Sequence, residues 1–219
     1  MTANREDIRP PRRGWADKRE AILTAALRVF GRDGYSRASI DIIAAEAEVS
    51  TRTIYNHFEG KENLFRNVIE HSSVQVAEIQ IALIAQHLDD VTDLDADLIA
   101  FGRAWATPNP DFEDHFALVR QIEAERAHIP QSTIEAWQNG GPLRVRREIG
   151  LRLHHLTDRG LLTAADPDQA ATHLVLLTAT EVANRANHRL TPLPPAEVTR
   201  IVTAGIQTFL RGYQETDRN

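Results

Sequence analysis

Apolar residues recur every three or four positions along nearly the whole chain, and no stretch alternates with the period of two that a half-buried strand requires. The pattern predicts an all-α fold. The first helix is expected from Asp17, whose carboxylate can cap the backbone while Glu20 completes a capping box. It carries Ile22, Ala25, Ala26, Val29 and Phe30 on one face and is expected to stop at Gly31 and Gly34. Ser39 signals the start of a short helix with Ile40, Ile43, Ala44 and Ala47 that ends near Glu48, and Ser50 caps a third. A fourth runs from Lys61 towards Leu88 without Gly or Pro. Beyond Asp89-Asp90 and Pro108-Asn109-Pro110 come helices with Leu98, Phe101, Gly102 and Trp105, then Phe112, Phe116, Val119 and Ile122. Trp137 and a helix with Val145, Ile149, Leu153 and Leu156 sit around a hinge at Gly140-Gly141-Pro142. The last two helices cover about residues 167–189 and, after the proline-rich "LTPLPPAE", a segment with a wide apolar stripe of Val198, Ile201, Val202, Ile206 and Phe209.

The opening helices have a helix-turn-helix layout. In the third, only Ile54 and Phe58, spaced i and i+4, need face a core, with Val49 in the preceding turn. That leaves Thr51, Arg52, Thr53, Tyr55, Asn56 and His57, whose hydroxyl, guanidinium, amide and imidazole groups suit phosphate oxygens and base edges in a major groove. The residues alone suit a solvated face of a small three-helix core equally well. The aromatic residues Phe101, Trp105, Phe112, Phe116 and Trp137 read first as plain core and second as the wall of a cavity, with His115 as a polar contact in it. The last two helices either close the core of one chain or pair with a second copy.

Composition narrows these choices. At 219 residues and 42% hydrophobic, the chain can fill one large core or two small ones. It has no cysteine, so disulfides and cysteine-bound zinc are excluded. No apolar run nears the roughly 20 residues of a membrane helix, and the start, "MTANREDIRPPRRGW", lacks the apolar centre of a signal peptide; a cytoplasmic location is expected. The net charge of −6 is uneven: 11 Lys and Arg stand against 10 Asp and Glu up to Phe65, and 14 against 21 beyond it. A locally basic front on an acidic body is compatible with a nucleic-acid-binding head. Arg5, Arg9, Arg12 and Arg13 around Pro10-Pro11 suggest a flexible basic arm over residues 1–16. Nine histidines offer no His-x-x-x-His pair, since His154-His155 are adjacent, and neither a phosphate loop nor a nucleophile elbow occurs. Neither an enzyme nor a metal or other cofactor is expected.

Residues from Asp17 to about Phe65, "AILTAALRVFGRDGYSRASIDIIAAEAEVS" followed by "TRTIYNHFEGKENLF", resemble the DNA-binding domain of the tetracycline-repressor (TetR) family, with its Tyr-x-His-Phe-x-x-Lys-Glu-x-Leu core present as Tyr55, His57, Phe58, Lys61, Glu62 and Leu64. The remainder is similar to the C-terminal domains of the family's AefR-like members. The resemblance implies a head over residues 17–62, joined through the long helix to an effector-binding and dimerisation domain over 63–219. It implies DNA contacts from Thr51, Arg52, Thr53, Tyr55, Asn56 and His57, with Ser39 and Ser50 near the backbone and Lys61 as phosphate clamp. It also implies an effector cavity lined by some of Phe101, Trp105, Phe112, His115, Phe116 and Trp137. A homodimer interface is implied on the last helices, at Leu174, Thr178, Ile201, Val202, Ile206 and Phe209. Two positions depart from the family pattern: Glu48 stands where glycine is usual, which predicts a positive φ at a residue with a Cβ, and Asp41 stands where a DNA-contacting polar residue is frequent. The implied function is transcriptional regulation, a repressor released from a palindromic double-stranded operator by a small apolar effector. A constitutive helix-turn-helix DNA binder, and a helical small-molecule-binding protein or enzyme, are the alternatives.

Overall fold

A computed structural model describes residues 13–189 and 193–214. Every regular element among them is helical: α1 (Arg13–Arg37), α2 (Ile40–Glu46), α3 (Thr51–Phe58), α4 (Lys61–Leu88), α5 (Leu94–Ala106), α6 (Glu113–Ala124), α7 (Gln131–Gly140), α8 (Pro142–Asp158), α9 (Pro167–Val175), α10 (Glu181–Arg189) and α11 (Pro195–Tyr213). The chain divides into two compact units. One comprises the chain as far as Ser72 together with Glu113–Ile134, and the other comprises Ser73–Phe112 and the chain from Glu135 onward. The chain therefore passes between units three times, inside α4, at Phe112 to Glu113, and inside α7.

In the first unit α1 buries Ile22, Ala25, Ala26, Val29 and Phe30 as the sequence pattern requires, and Phe30 meets Phe65 of α4 edge-on at 4.9 Å. The helix begins four residues earlier than expected, at Arg13, so Asp17 is not its cap and Glu20 instead lies 3.3 Å from His71. Residues 13–16 of the expected arm belong to α1; residues 1–12 lie outside the described residues. Gly31 does not end the helix. A Cβ there would sit 3.3 Å from the backbone of Asp114 and Leu118, so this glycine lets α6 approach α1 closely. Gly34 makes the break, with φ 79 and ψ 170. The head expected over 17–62 thus shares its unit with α6 and the first turns of α4.

The second unit is built around Ile84, Leu98, Phe101, Ile149, Leu153, Leu174, Val202, Ile206 and Phe209. Asp93 and Asp166 cap α5 and α9 through Ala96 N–H and Gln169 N–H, and Pro142, Pro167 and Pro195 open their helices. Helical structure persists from Pro167 to Arg189, with a π-turn at Leu176–Thr180 between α9 and α10. Gly205 of α11 lies so close to this turn that a Cβ would reach 2.0 Å from the Leu177 carbonyl oxygen. This close crossing corrects the expected dimer interface: Leu174, Thr178, Ile201, Val202, Ile206 and Phe209 are all buried within the single chain. The wide stripe of α11 is satisfied by α5 and the α9 to π-turn segment, so these side chains have no surface left for a second copy.

Candidate nucleic-acid interface and effector site

The starts of α2 and α3 are set by local hydrogen bonding. Ser39 Oγ accepts from Ile42 N–H at 3.2 Å, and Ser50 Oγ accepts from Thr53 N–H at 3.1 Å. Ser50 and Thr53 also share a 2.8 Å hydroxyl contact. Glu48 adopts φ 54, the left-handed conformation expected of the position where glycine is usual, and Glu59 at the end of α3 adopts φ 62. Each costs about 1 kcal/mol or more for a residue with a Cβ. Asp41 is exposed in the first turn of α2, where a carboxylate complements the helix dipole.

With Ile54 and Phe58 fully buried, α3 turns Arg52, Tyr55 and Asn56 outward, and Tyr55 is 53% exposed. Thr51 and Thr53 are half-buried beside them. His57 does not belong to this outward group. It lies three residues from Ile54 and hence on the inner side of the helix, where its ring stacks on Trp15 of α1 at 3.7 Å. Its Nε2 is buried without a hydrogen-bond partner, and burial, with the charges of Arg19 and Lys18, pushes its pKa below the usual histidine value. The neutral ring is what this packing favours.

Lys61 opens α4 and donates from Nζ to Ser36 O at 3.2 Å, with the ammonium 4.9 Å from the Tyr35 ring centroid. Partial burial lowers its pKa, while the carboxylate of Glu125 acts in the opposite sense. Glu125 follows α6 and accepts from both Ser36 N–H and Ser36 Oγ–H at 2.9 Å. A Cβ on Gly34 would lie 2.3 Å from its Oε1, so the glycine leaves the space this carboxylate fills. Glu125, Ser36 and Lys61 form one network at the α1–α2 turn. Nothing in the sequence connects Glu125 to Ser36, 89 residues away.

The expected effector residues fall in both units. His115 is 7% exposed in the first unit and shares a 2.5 Å hydrogen bond through Nδ1 with Ser72 of α4; burial lowers its pKa to about 4. Phe116 is 41% exposed, because the buried face of α6 is set by His115, Leu118 and Ile122, so it does not line an interior wall. Phe101 is buried in the second unit at 5.5 Å from the half-buried Trp105 ring, and Phe112 is half-buried in a 3-10 turn. Trp137 has its Nε1 buried with no hydrogen-bond partner, a donor without an acceptor. Gly102, beside Phe101, faces a packed helix crossing: a Cβ there would meet Val202 Cγ1 at 2.7 Å. Among the described residues no group of three or more His, Asp or Glu is placed to hold a metal ion, and no helix is long and apolar enough to cross a membrane.

The model for bacterial regulatory proteins of the tetR family matches residues 22–68, and that for the AefR-like transcriptional repressor C-terminal domain matches residues 97–215, more than half of the chain. The chain belongs to the TetR family. It is 34% identical over 142 residues to the HTH-type transcriptional repressor NicS of Pseudomonas putida, a match covering 58% of this chain and 66% of NicS, just under two thirds of that relative's length. Among solved structures, a TetR-family regulator from Mesorhizobium loti superimposes with a TM-score of 0.80 at 29% identity, covering 94% of this chain and all of that one. The flavonoid-responsive regulator FrrA superimposes with a TM-score of 0.68 at 25% identity, covering 93% of this chain and all of FrrA. The AefR-like match includes α6, so an element of this TetR-family chain's C-terminal domain packs in the same unit as its head.

Proposed function

We propose that this chain is a cytoplasmic, dimeric repressor that grips a palindromic operator through α3 and releases it when a small, largely apolar effector binds the helical body. The observation that carries the reading is the outward face of α3, where Arg52, Tyr55 and Asn56 stand exposed on a helix anchored by two fully buried side chains. Arginine and asparagine are the residues that pair bidentately with guanine and adenine in a major groove. Thr51 and Thr53 flank them as backbone contacts, with Lys61 as phosphate clamp. Ser39 and Ser50 act at one remove, by fixing the ends of α2 and α3.

The effector reading rests on Trp137. A buried indole N–H with no acceptor favours a ligand carrying an oxygen to receive it, and the half-buried Trp105 of the same unit offers aromatic surface. The likeness to a flavonoid-responsive regulator supports an effector that is aromatic and oxygenated. Release requires the effector to bind the DNA-free conformation better, and DNA then weakens the effector by the same factor. For the dimer, the outward sides of the last helices replace the buried stripe. Leu176 is 52% exposed, Ala183 follows two turns on, and Ala204 and Thr208 are exposed on α11.

Selection of bound DNA from a random pool tests the reading. It is expected to enrich an inverted repeat whose half-sites lie about 10 base pairs apart, centre to centre, or a multiple of that spacing. A pool that shows no enrichment, or only a single unsymmetrical site, contradicts it.

A further inference from the structure

The most exposed aromatic residue among the described residues belongs to neither the α3 face nor a core. Trp15, in the first turn of α1, is 57% exposed, although tryptophan ordinarily keeps most of its large ring from water. One side of the ring is nonetheless packed: the indole stacks on His57 of α3 with 30° between the planes. Among the described residues its N–H has no hydrogen-bond partner. Lys18 and Arg19 follow at i+3 and i+4, on the same face of α1, while Asp17 at i+2 points to the other side. Lys18 is exposed. Arg19 lies over the Phe58 ring at 5.4 Å and donates to Asn67 at 2.9 Å, so its charge is held beside α3. The end of α3 and the start of α1 thus form one surface, a stacked aromatic ring edged with positive charge.

We propose that Trp15 is a DNA-contacting residue, held on His57 to meet the sugar–phosphate backbone beside the groove that α3 enters, with Lys18 as its ionic neighbour. This inference rests on the operator-binding reading above. The indole N–H donates to a phosphate oxygen, and the flat ring covers deoxyribose. Because the stack already restrains the side chain, little rotamer entropy remains to be lost on binding. The arrangement explains why the sequence places tryptophan where a surface helix start would ordinarily be polar, and why His57 is kept neutral as a stacking base rather than serving as a cation.

The deciding variant is Trp15→Phe, which keeps a ring on His57 and removes the N–H; Trp15→Ala removes both, and Lys18→Ala removes a charge. Affinity is measured on the DNA selected by the wild-type protein over a range of salt, with helicity followed by circular dichroism. Trp15→Phe is expected to weaken binding about tenfold, the effect of one lost charge-assisted hydrogen bond, and Trp15→Ala at least as much. Neither neutral substitution changes the salt slope, whereas Lys18→Ala lowers it by about one. Trp15→Phe binding as tightly as wild type overturns the proposal and reduces Trp15 to packing for His57. Failure of the wild-type protein to select any DNA instead overturns the underlying reading, before a variant is made.

Discussion

His115 shows how one buried side chain ties stability to pH. Its pKa falls from 6.5 to about 4 on folding because the imidazolium cannot be solvated in its buried site against Ser72. Unfolding therefore takes up a proton between these two values. Above pH 6.5 the residue contributes no pH dependence; as pH falls through the window stability declines, by about 3 kcal/mol once pH 4 is passed. His115→Asn keeps a hydrogen-bonding partner for Ser72 and does not titrate. Urea unfolding at pH 7.5 and pH 4.5 is expected to show the variant losing less stability than the wild type over this interval, and equal losses would contradict the assigned burial. The motif residues were legible for a local reason: Ser39, Ser50 and Glu48 are read by backbone groups within four residues of them. Glu125 and Trp15 were not, because their partners, Ser36 and His57, lie far away in sequence and no local period points to them.

At the level of elements, periodicity revealed that α11 has an inner face but not what covers it. A stripe as wide as Ile201, Val202, Ile206 and Phe209 is stable against the same chain or against a second copy, and in the structure α5 and the α9 to π-turn segment take it. The discriminating features were glycines, Gly102 and Gly205, which leave room for Val202 and for the Leu177 carbonyl at helix crossings inside one chain. Two substitutions separate the faces. Ile206→Asp buries an unpaired carboxylate in the core, which costs several kcal/mol, and is expected to unfold the second unit. Leu176→Asp places a charge on an exposed side chain, so it is expected to leave the fold intact and convert dimer to monomer in sedimentation at micromolar concentration. A folded, dimeric Leu176→Asp protein contradicts the outward face as the interface.

For the whole molecule, the all-helical order, the long α4 and the helix-turn-helix were legible because each follows from apolar period and capping alone. The division into units was not, since α6 is far in sequence from the head with which it packs, and only Gly31 and Gly34 mark the approach. The central claim is that this molecule reads DNA with α3 and clamps it with Lys61. Its most direct test is the affinity of wild-type, Lys61→Ala and Asn56→Ala proteins for the selected operator and its single-base variants, measured across a range of salt. Lys61→Ala is predicted to weaken every sequence alike and to lower the salt slope by about one, and Asn56→Ala to cost about 1–3 kcal/mol at one base pair of each half-site. A Lys61→Ala protein with altered base preference and an unchanged slope, or an Asn56→Ala protein that discriminates every position as wild type does, would contradict the account.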